Sequence, residues 1–219
     1  AAPAWHITMM NDQARNKAYL DALKLAITDG DFILEIGSGS GLLAMMAARA
    51  GAKKVITCET SESISRIAEE IISENGYSDK IKVINKKSTE LVVGKDLPVK
   101  ADIVISELLS AEFVGEGVLP TMLDANKRLL VKNGKMLPES GDIRIALLGD
   151  NKEIRENIFV DKIDGFDLSK FNTISTNKFT LKLKNKPKLL SETMVAFKFD
   201  LYSSQRITKK EIILSMTAQ

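Results

Sequence analysis

Seven residues constrain this chain more than any others: Glu35-Ile36-Gly37-Ser38-Gly39-Ser40-Gly41, set between an apolar run and a helical pattern. Phe32 to Ile36 reads as a buried strand, and Leu42 to Ala50 as a helix that Gly51 ends. Glycines in a strand-to-helix turn let the backbone approach a ligand closely, and the helix that follows offers unpaired N–H groups. The context is therefore that of a nucleotide-type loop in an open α/β sheet. A dinucleotide fingerprint would place its third glycine at position 42, where the chain has Leu42.

The neighbouring pattern agrees with such a sheet. Asp12 is placed to cap a helix with Tyr19, Leu23 and Ile27 on one face, and Asp29-Gly30-Asp31 is a turn. Lys54 to Cys58 reads as a second strand. Ser61 or Ser63 starts a helix with the apolar face Ile64, Ile67, Ala68, Ile71 and Ile72, closed by Gly76. Ile81 to Ile84 and Ile103 to Ser106 are two further strands. Leu119, Met122, Leu123, Asn126 and Leu130 trace another helix, expected to stop near Asn133-Gly134. Alternating strands and helices predict a parallel sheet covered by helices, a Rossmann-like α/β fold.

Beyond residue 142 the helical period fades into β-rich segments: Ile143 to Leu148, Phe179 to Leu183, Val195 to Tyr202 and Ile212 to Met216. Lys182 to Lys188 carries four lysines and one proline, as an exposed connection or a protected edge would. The expected organisation is a ligand-binding α/β domain over 1–142 and an incomplete antiparallel β-barrel-type unit over 143–219.

Composition removes several classes of function. With 31 basic and 29 acidic residues the net charge is +2, which argues against a protein held to nucleic acid by bulk charge. Cys58 is the sole cysteine, so no intrachain disulfide forms and a reducing compartment is expected. One histidine excludes a His-rich metal site and argues against a Ser-His-Asp triad. Ala1 to Met10 has neither the basic start nor the apolar core of a signal peptide, and the longest apolar run, Leu42 to Ala48, is too short to span a bilayer. A soluble, cytoplasmic protein without a metal is expected.

The loop spacing, E-x-G-x-G-x-G, resembles motif I of S-adenosylmethionine-dependent methyltransferases. Glu59 lies 18 residues beyond Gly41 at the end of the second strand, where a carboxylate can accept hydrogen bonds from both ribose hydroxyls. A pair of acids suits a cationic methyl acceptor. The strand Ala101 to Ser106 delivers Glu107 to the carboxyl end of the sheet, and Gly115 and Gly117 allow the following loop to turn Glu116 back toward it. Two carboxylates match the planar donor fork of a guanidinium and can localise its charge away from one nitrogen.

Ser106-Glu107 through Gly115-Glu116-Gly117 resembles the double-glutamate loop of protein arginine methyltransferases. Trp5-His6 with Met9 to Asn16 is similar to that family's cofactor-closing N-terminal helix. Asn75 to Lys80, Lys87 to Glu90 and Gly115 to Pro120 most resemble the branch of protein arginine methyltransferases seven and nine, and Gly165-Phe166-Asp167-Leu168 suits the start of its β-barrel half. The resemblance is dense over 5–148 and thin afterwards. It implies arginine N-methylation of a protein or peptide, with S-adenosylmethionine as methyl donor and Glu107 and Glu116 as catalytic residues. Arg15 matches the grip on the cofactor carboxylate, and Met9 the residue beside the sulfonium. Gly37, Gly39 and Glu59 match the methionine and ribose contacts, with Glu35, Gly41 and Thr60 in the same site. Ser88 stands where an adenine contact is expected. His6 and Met45 are further candidates near the cofactor, Cys58 reads as inert packing, and Glu112 adds a third acid to the loop.

The chain also departs from the family. No histidine follows His6 and no tryptophan follows Trp5, so the late Thr-His-Trp-type loop is missing. The family's homodimerising arm should follow Gly165-Phe166-Asp167, where Ser169 to Asn177 is short and polar. A piece of a longer protein is the expectation. Methylation of free arginine or another small guanidine or amine, and a non-catalytic scaffold, are the alternative readings. Absence of a Pro-Pro-aromatic segment argues against a nucleic-acid base as acceptor.

Overall fold

A computed structural model describes residues 4–110, 113–176, 179, 181, 186–203 and 211–216. Asp12 caps the first long helix as its short acidic side chain should: the carboxylate accepts the Arg15 backbone N–H at 3.0 Å. A one-and-a-half-turn helix α1 (Trp5–Met10) precedes this cap, and α2 (Gln13–Ala26) follows it. The chain then alternates through β1 (Phe32–Ile36), α3 (Leu42–Arg49), β2 (Lys54–Cys58), α4 (Glu62–Glu74), β3 (Ile81–Ile84), β4 (Ala101–Ser106), α5 (Val118–Arg128) and β5 (Leu130–Leu137). The five strands form one parallel sheet in the order β3-β2-β1-β4-β5.

Every residue of β1 is buried, as expected of a central parallel strand with helices on both faces. One core packs Leu34 and Ile36 against Met122, Ala125 and Leu129, and the other packs Ile33 against Leu23, Ala44 and Ala47. This double-faced core is the Rossmann-like architecture expected from the sequence.

Two local expectations are corrected. Asn133-Gly134 does not end α5; it lies inside β5, where Asn133 takes a positive φ of 65°. A Cβ on Gly134 would meet the Leu130 side chain at 2.6 Å, so the glycine marks close packing rather than a stop. On α4 the buried residues are Ser65, Ala68 and Ile72, whereas Ile67 remains 42% exposed. The apolar stripe is wider than the surface the sheet covers.

The chain forms two compact units, Ala1–Gly141 with Phe199–Arg206, and Asp142–Lys198 with Ile207–Gln219. In the first, the returning segment is built into the sheet's own core. Leu201 is buried, the Tyr202 hydroxyl accepts the Met136 N–H at 2.7 Å, and Asn126 Nδ2 donates to the Tyr202 carbonyl at 2.7 Å.

Past the sheet come β6 (Ser140–Ile145), α6 (Lys152–Ile158), β7 (Lys162–Ile163), β8 (Phe166–Asp167) and β9 (Met194–Asp200). β6 pairs with β9, and β7 pairs antiparallel with β8. The expected strand Ile212 to Met216 does not form. Ile213 and Met216 stay 81% and 71% exposed, so no apolar face holds the segment in a ladder. Most of the expected strand Phe179 to Leu183, and Lys182 to Asn185 of the lysine-rich stretch, lie outside the described residues.

Candidate active site

The strand order reverses at β1, which has β2 on one side and β4 on the other. Open parallel sheets bind ligands at the carboxyl ends of strands flanking such a reversal. Three segments meet there: the glycine loop after β1, Glu59 after β2, and Glu107 after β4. Gly37 and Ser38 both donate their N–H groups to the Cys58 carbonyl, at 2.9 and 3.2 Å, which ties the loop to the end of β2. Ser38 and Thr57 share a buried hydroxyl–hydroxyl hydrogen bond of 2.7 Å beneath it.

Two glycines of the loop are set by different constraints, Gly41 by space and Gly39 by its backbone conformation. Gly41 caps α3 with a positive φ of 78°, and a Cβ there would meet Ile72 Cδ1 at 2.9 Å. Gly39 has a φ of 50°, and nothing lies within 4 Å of where its Cβ would stand. Its missing side chain leaves open space in the cleft rather than avoiding a neighbour.

The cleft sets one arginine, Arg15, among four glutamates, Glu35, Glu59, Glu107 and Glu116. Glu35 is 1% exposed within β1, and its Oε2 has no hydrogen-bond partner. Burial pushes its carboxyl up to about 8, only partly countered by hydrogen bonds from Thr57 and the Ala44 backbone. Arg15 reaches in from the first turn of α2 and pairs with Glu107, Nη2 to Oε2 at 3.0 Å. Its Nη1 donates to Asn16 Oδ1 at 2.9 Å, while its Nε is buried without a partner. Glu59 is held from two sides: Oε1 accepts the Ser61 N–H at 2.9 Å, and Oε2 faces the Gly39 N–H at 3.4 Å.

One cleft gathers most of the residues expected from the sequence. Met9, Arg15, Glu35, Gly37, Gly39, Glu59, Glu107 and Glu116 all line it, as does His6, which stacks on Trp5 with ring centroids 3.9 Å apart. Gly41, Thr60, Ser88 and Met45 are not among its lining residues. The Thr60 hydroxyl instead donates to Glu59 Oε1 at 3.3 Å, and Ser88 is buried with its carbonyl accepting from Arg128 Nη2 at 3.1 Å. Glu112 lies outside the described residues. Cys58 is buried beneath the loop, and burial pushes its thiol up to about 12, as expected of inert packing.

The sequence reading missed Leu108, whose side chain closes on Gly37 so that a Cβ there would stand 3.2 Å from it. It also missed that the Tyr19 ring lies beside Arg15, 5.3 Å from the guanidinium carbon to the ring centre, although the i, i+4 spacing was a usable signal. Among the described residues no cluster of His, Cys, Asp and Glu could hold a metal, and no helix is long and apolar enough to cross a membrane.

With this geometry in view, the comparisons with known proteins are specific. The family model of ribosomal protein L11 methyltransferase matches residues 16–144, more than half of the chain. An arginine N(omega)-methyltransferase of Streptomyces achromogenes subsp. streptozoticus is 42% identical over 204 residues, covering 92% of this chain and 56% of that protein. Protein arginine N-methyltransferase 7 of Oryza sativa subsp. indica is 42% identical over 142 residues, covering 61% of this chain and 20% of that protein. The chain belongs to the methyltransferases, and the relatives it resembles are named arginine N-methyltransferases.

Among solved structures, the Trypanosoma brucei PRMT1 enzyme–prozyme heterotetrameric complex with AdoHcy matches with a TM-score of 0.78 at 28% identity. That match covers 92% of this chain and 63% of the other. The likeness to the branch of protein arginine methyltransferases seven and nine, expected from Asn75 to Lys80, Lys87 to Glu90 and Gly115 to Pro120, is supported for the seventh by the relatives so named. The chain spans about half the length of the Streptomyces protein and a fifth of the rice protein.

Proposed function

We propose that the cleft binds S-adenosylmethionine and that the chain transfers its methyl group to a guanidino nitrogen of arginine in a protein or peptide. The observation that carries this reading is the meeting, in one cleft, of a glycine loop, Arg15 and Glu35 with unpartnered polar atoms, and two glutamates from a separate loop. The residues fit the cofactor. Two buried polar atoms lack partners in the cleft, Arg15 Nε and Glu35 Oε2; one is a donor and the other an acceptor, as the carboxylate and ammonium of an amino acid require. Gly39 leaves a space that any side chain would fill, and Glu59 sits beside it as a double acceptor for ribose hydroxyls. When bound, the cofactor supplies a methyl group activated on a sulfonium.

The chain's own residues then do three things. Met9, from α1, shields the reacting centre from water. Glu107 and Glu116 grip the acceptor guanidinium and hold its positive charge on the nitrogens they touch, which leaves the remaining nitrogen more nucleophilic. A glutamate carboxylate also accepts the proton that this nitrogen loses. Positioning and charge placement therefore supply most of the rate enhancement. In this reading 1–142 binds the cofactor, and 143–219 contributes a partial barrel to substrate binding. Gly41 shapes the loop, while Thr60 and Ser88 act from the adenosine side. A reducing, cytoplasmic setting, in which the single thiol Cys58 stays free, goes with this reading.

Free arginine is the second acceptor to consider, because the Streptomyces relative that aligns with 92% of this chain carries arginine itself in its name. Titrating the chain with S-adenosylmethionine by calorimetry, as wild type and as Glu59→Ala, tests the cofactor site. Binding lost in the variant is expected; a folded wild type that binds nothing would refute the reading. Offering free arginine and an arginine-rich peptide in competition then assigns the acceptor.

A further inference from the structure

Beneath the Arg15–Glu107 pair lies a side chain with no assigned role. Tyr19 sits one helical turn after Arg15 on α2, and the Arg15 guanidinium carbon stands 5.3 Å from the centre of its ring. That is within cation–π range. The Tyr19 hydroxyl donates across to the Ser106 carbonyl at 3.2 Å. Ser106 is the last residue of β4, and its own hydroxyl donates to the Ile36 carbonyl at the end of β1, 3.1 Å away. One tyrosine thus touches the cation from below and pins the backbone immediately before Glu107. Burial and the Glu107 carboxylate both hold its phenol above the usual range, so the hydroxyl remains a donor throughout ordinary pH.

We propose that Tyr19 is the positioning residue of this site: its ring sets the Arg15 guanidinium at the height at which it meets a cofactor carboxylate, and its hydroxyl fixes the end of β4 that aims Glu107 at the acceptor. The inference rests on the functional reading above and extends it to a residue outside the cleft lining. Its two halves are separable. Removing the hydroxyl alone leaves the ring under Arg15, so it disturbs Glu107 more than Arg15. Removing the ring disturbs both.

The test compares wild type, Tyr19→Phe and Tyr19→Leu by calorimetric titration with S-adenosylmethionine and by methyl transfer to an arginine-containing peptide, with rates expressed per cofactor-binding site. Tyr19→Phe should keep the cofactor dissociation constant within about twofold while lowering kcat roughly five- to tenfold with little change in KM, the scale of one lost hydrogen bond. Tyr19→Leu should also weaken cofactor binding about tenfold, the scale of a lost cation–π contact. A purely structural role would lower the fraction of binding sites and leave both constants per site unchanged. Unchanged kcat in Tyr19→Phe together with unchanged cofactor affinity in Tyr19→Leu overturns the proposal. Should Tyr19→Leu fail to fold, the KM-against-kcat split in Tyr19→Phe decides alone. A wild type that binds cofactor but transfers nothing would overturn the functional reading instead, and the ratio of cofactor affinities would still decide the part of Tyr19.

Discussion

Glu35 combines a strand's burial with a loop's function, and its protonation follows from that conflict. In the folded chain the carboxyl holds its proton up to about pH 8, against an ordinary value of 4.5. Between those limits the native state binds one proton more than the unfolded state, so stability is full below about pH 4.5 and falls as pH rises toward 8. Glu35→Gln should remove that decline, on the order of a few kcal/mol between pH 5 and 8. Denaturant melts at several pH values check it; a slope identical to wild type would show that burial is not what governs this group. Glu116 offers the cleaner of the two catalytic substitutions, because Glu107 is already paired with Arg15 at 3.0 Å and changing it also releases the arginine. Glu116→Gln should lower kcat at least about a hundredfold and leave cofactor affinity within about threefold, since only the carboxylate charge that grips the acceptor is lost. Single-turnover rates and calorimetry on the same sample separate the two effects.

At the scale of elements, short apolar runs bounded by glycine or aspartate were the most legible. β1, β2 and β3 run over Phe32–Ile36, Lys54–Cys58 and Ile81–Ile84, the same residues that the pattern marks. Where the pattern misled, tertiary packing had overridden a local signal. Asn133-Gly134 looks like a stop but is a place where a strand presses on Leu130 and on the Asp102 carbonyl. Helix α6 escaped notice because Lys152–Ile158 is only seven residues long and mostly charged, so no helical period is legible in it. Its start is nevertheless chemically clear, with Asn151 Oδ1 accepting the Ile154 N–H at 3.1 Å. The glycine loop was legible because Gly37, Gly39 and Gly41 all take the positive φ that other residues avoid. Gly41→Ala adds a Cβ against Ile72 at such a φ, and should cost roughly 1–3 kcal/mol in a thermal or denaturant melt. Glu59→Ala at the neighbouring strand end should lower cofactor affinity with little effect on the same melt.

The whole molecule divides where its chemistry does. Almost everything read as function from the sequence lies in the sheet unit, because a ligand site on a parallel sheet is fixed by strand ends and loops whose residues are close in sequence. Arg15, Glu35, Glu59 and Glu107 each stand at or beside the end of a regular element. Ser88 and Thr60 were harder to place, since Thr60 lies in the short connection from β2 to α4 and Ser88 opens a one-turn 3-10 helix, where periodicity does not set a side chain's direction. The later unit was least legible: β6 pairs with β9 across about fifty residues, and no short-range pattern encodes such a partner. The matched relatives are longer than this chain, which spans 56% of one and 20% of another.

The most direct test is the position of the transferred methyl. The chain and its Glu116→Gln variant would be incubated with S-adenosylmethionine and an arginine-containing peptide, and the product fragmented in a mass spectrometer. A methyl group on a guanidino nitrogen in the wild-type reaction, absent from the variant reaction, is the result expected if two glutamates grip the acceptor in this cleft. A methyl group on lysine or a backbone amine, or equal guanidino methylation by the variant, would contradict it.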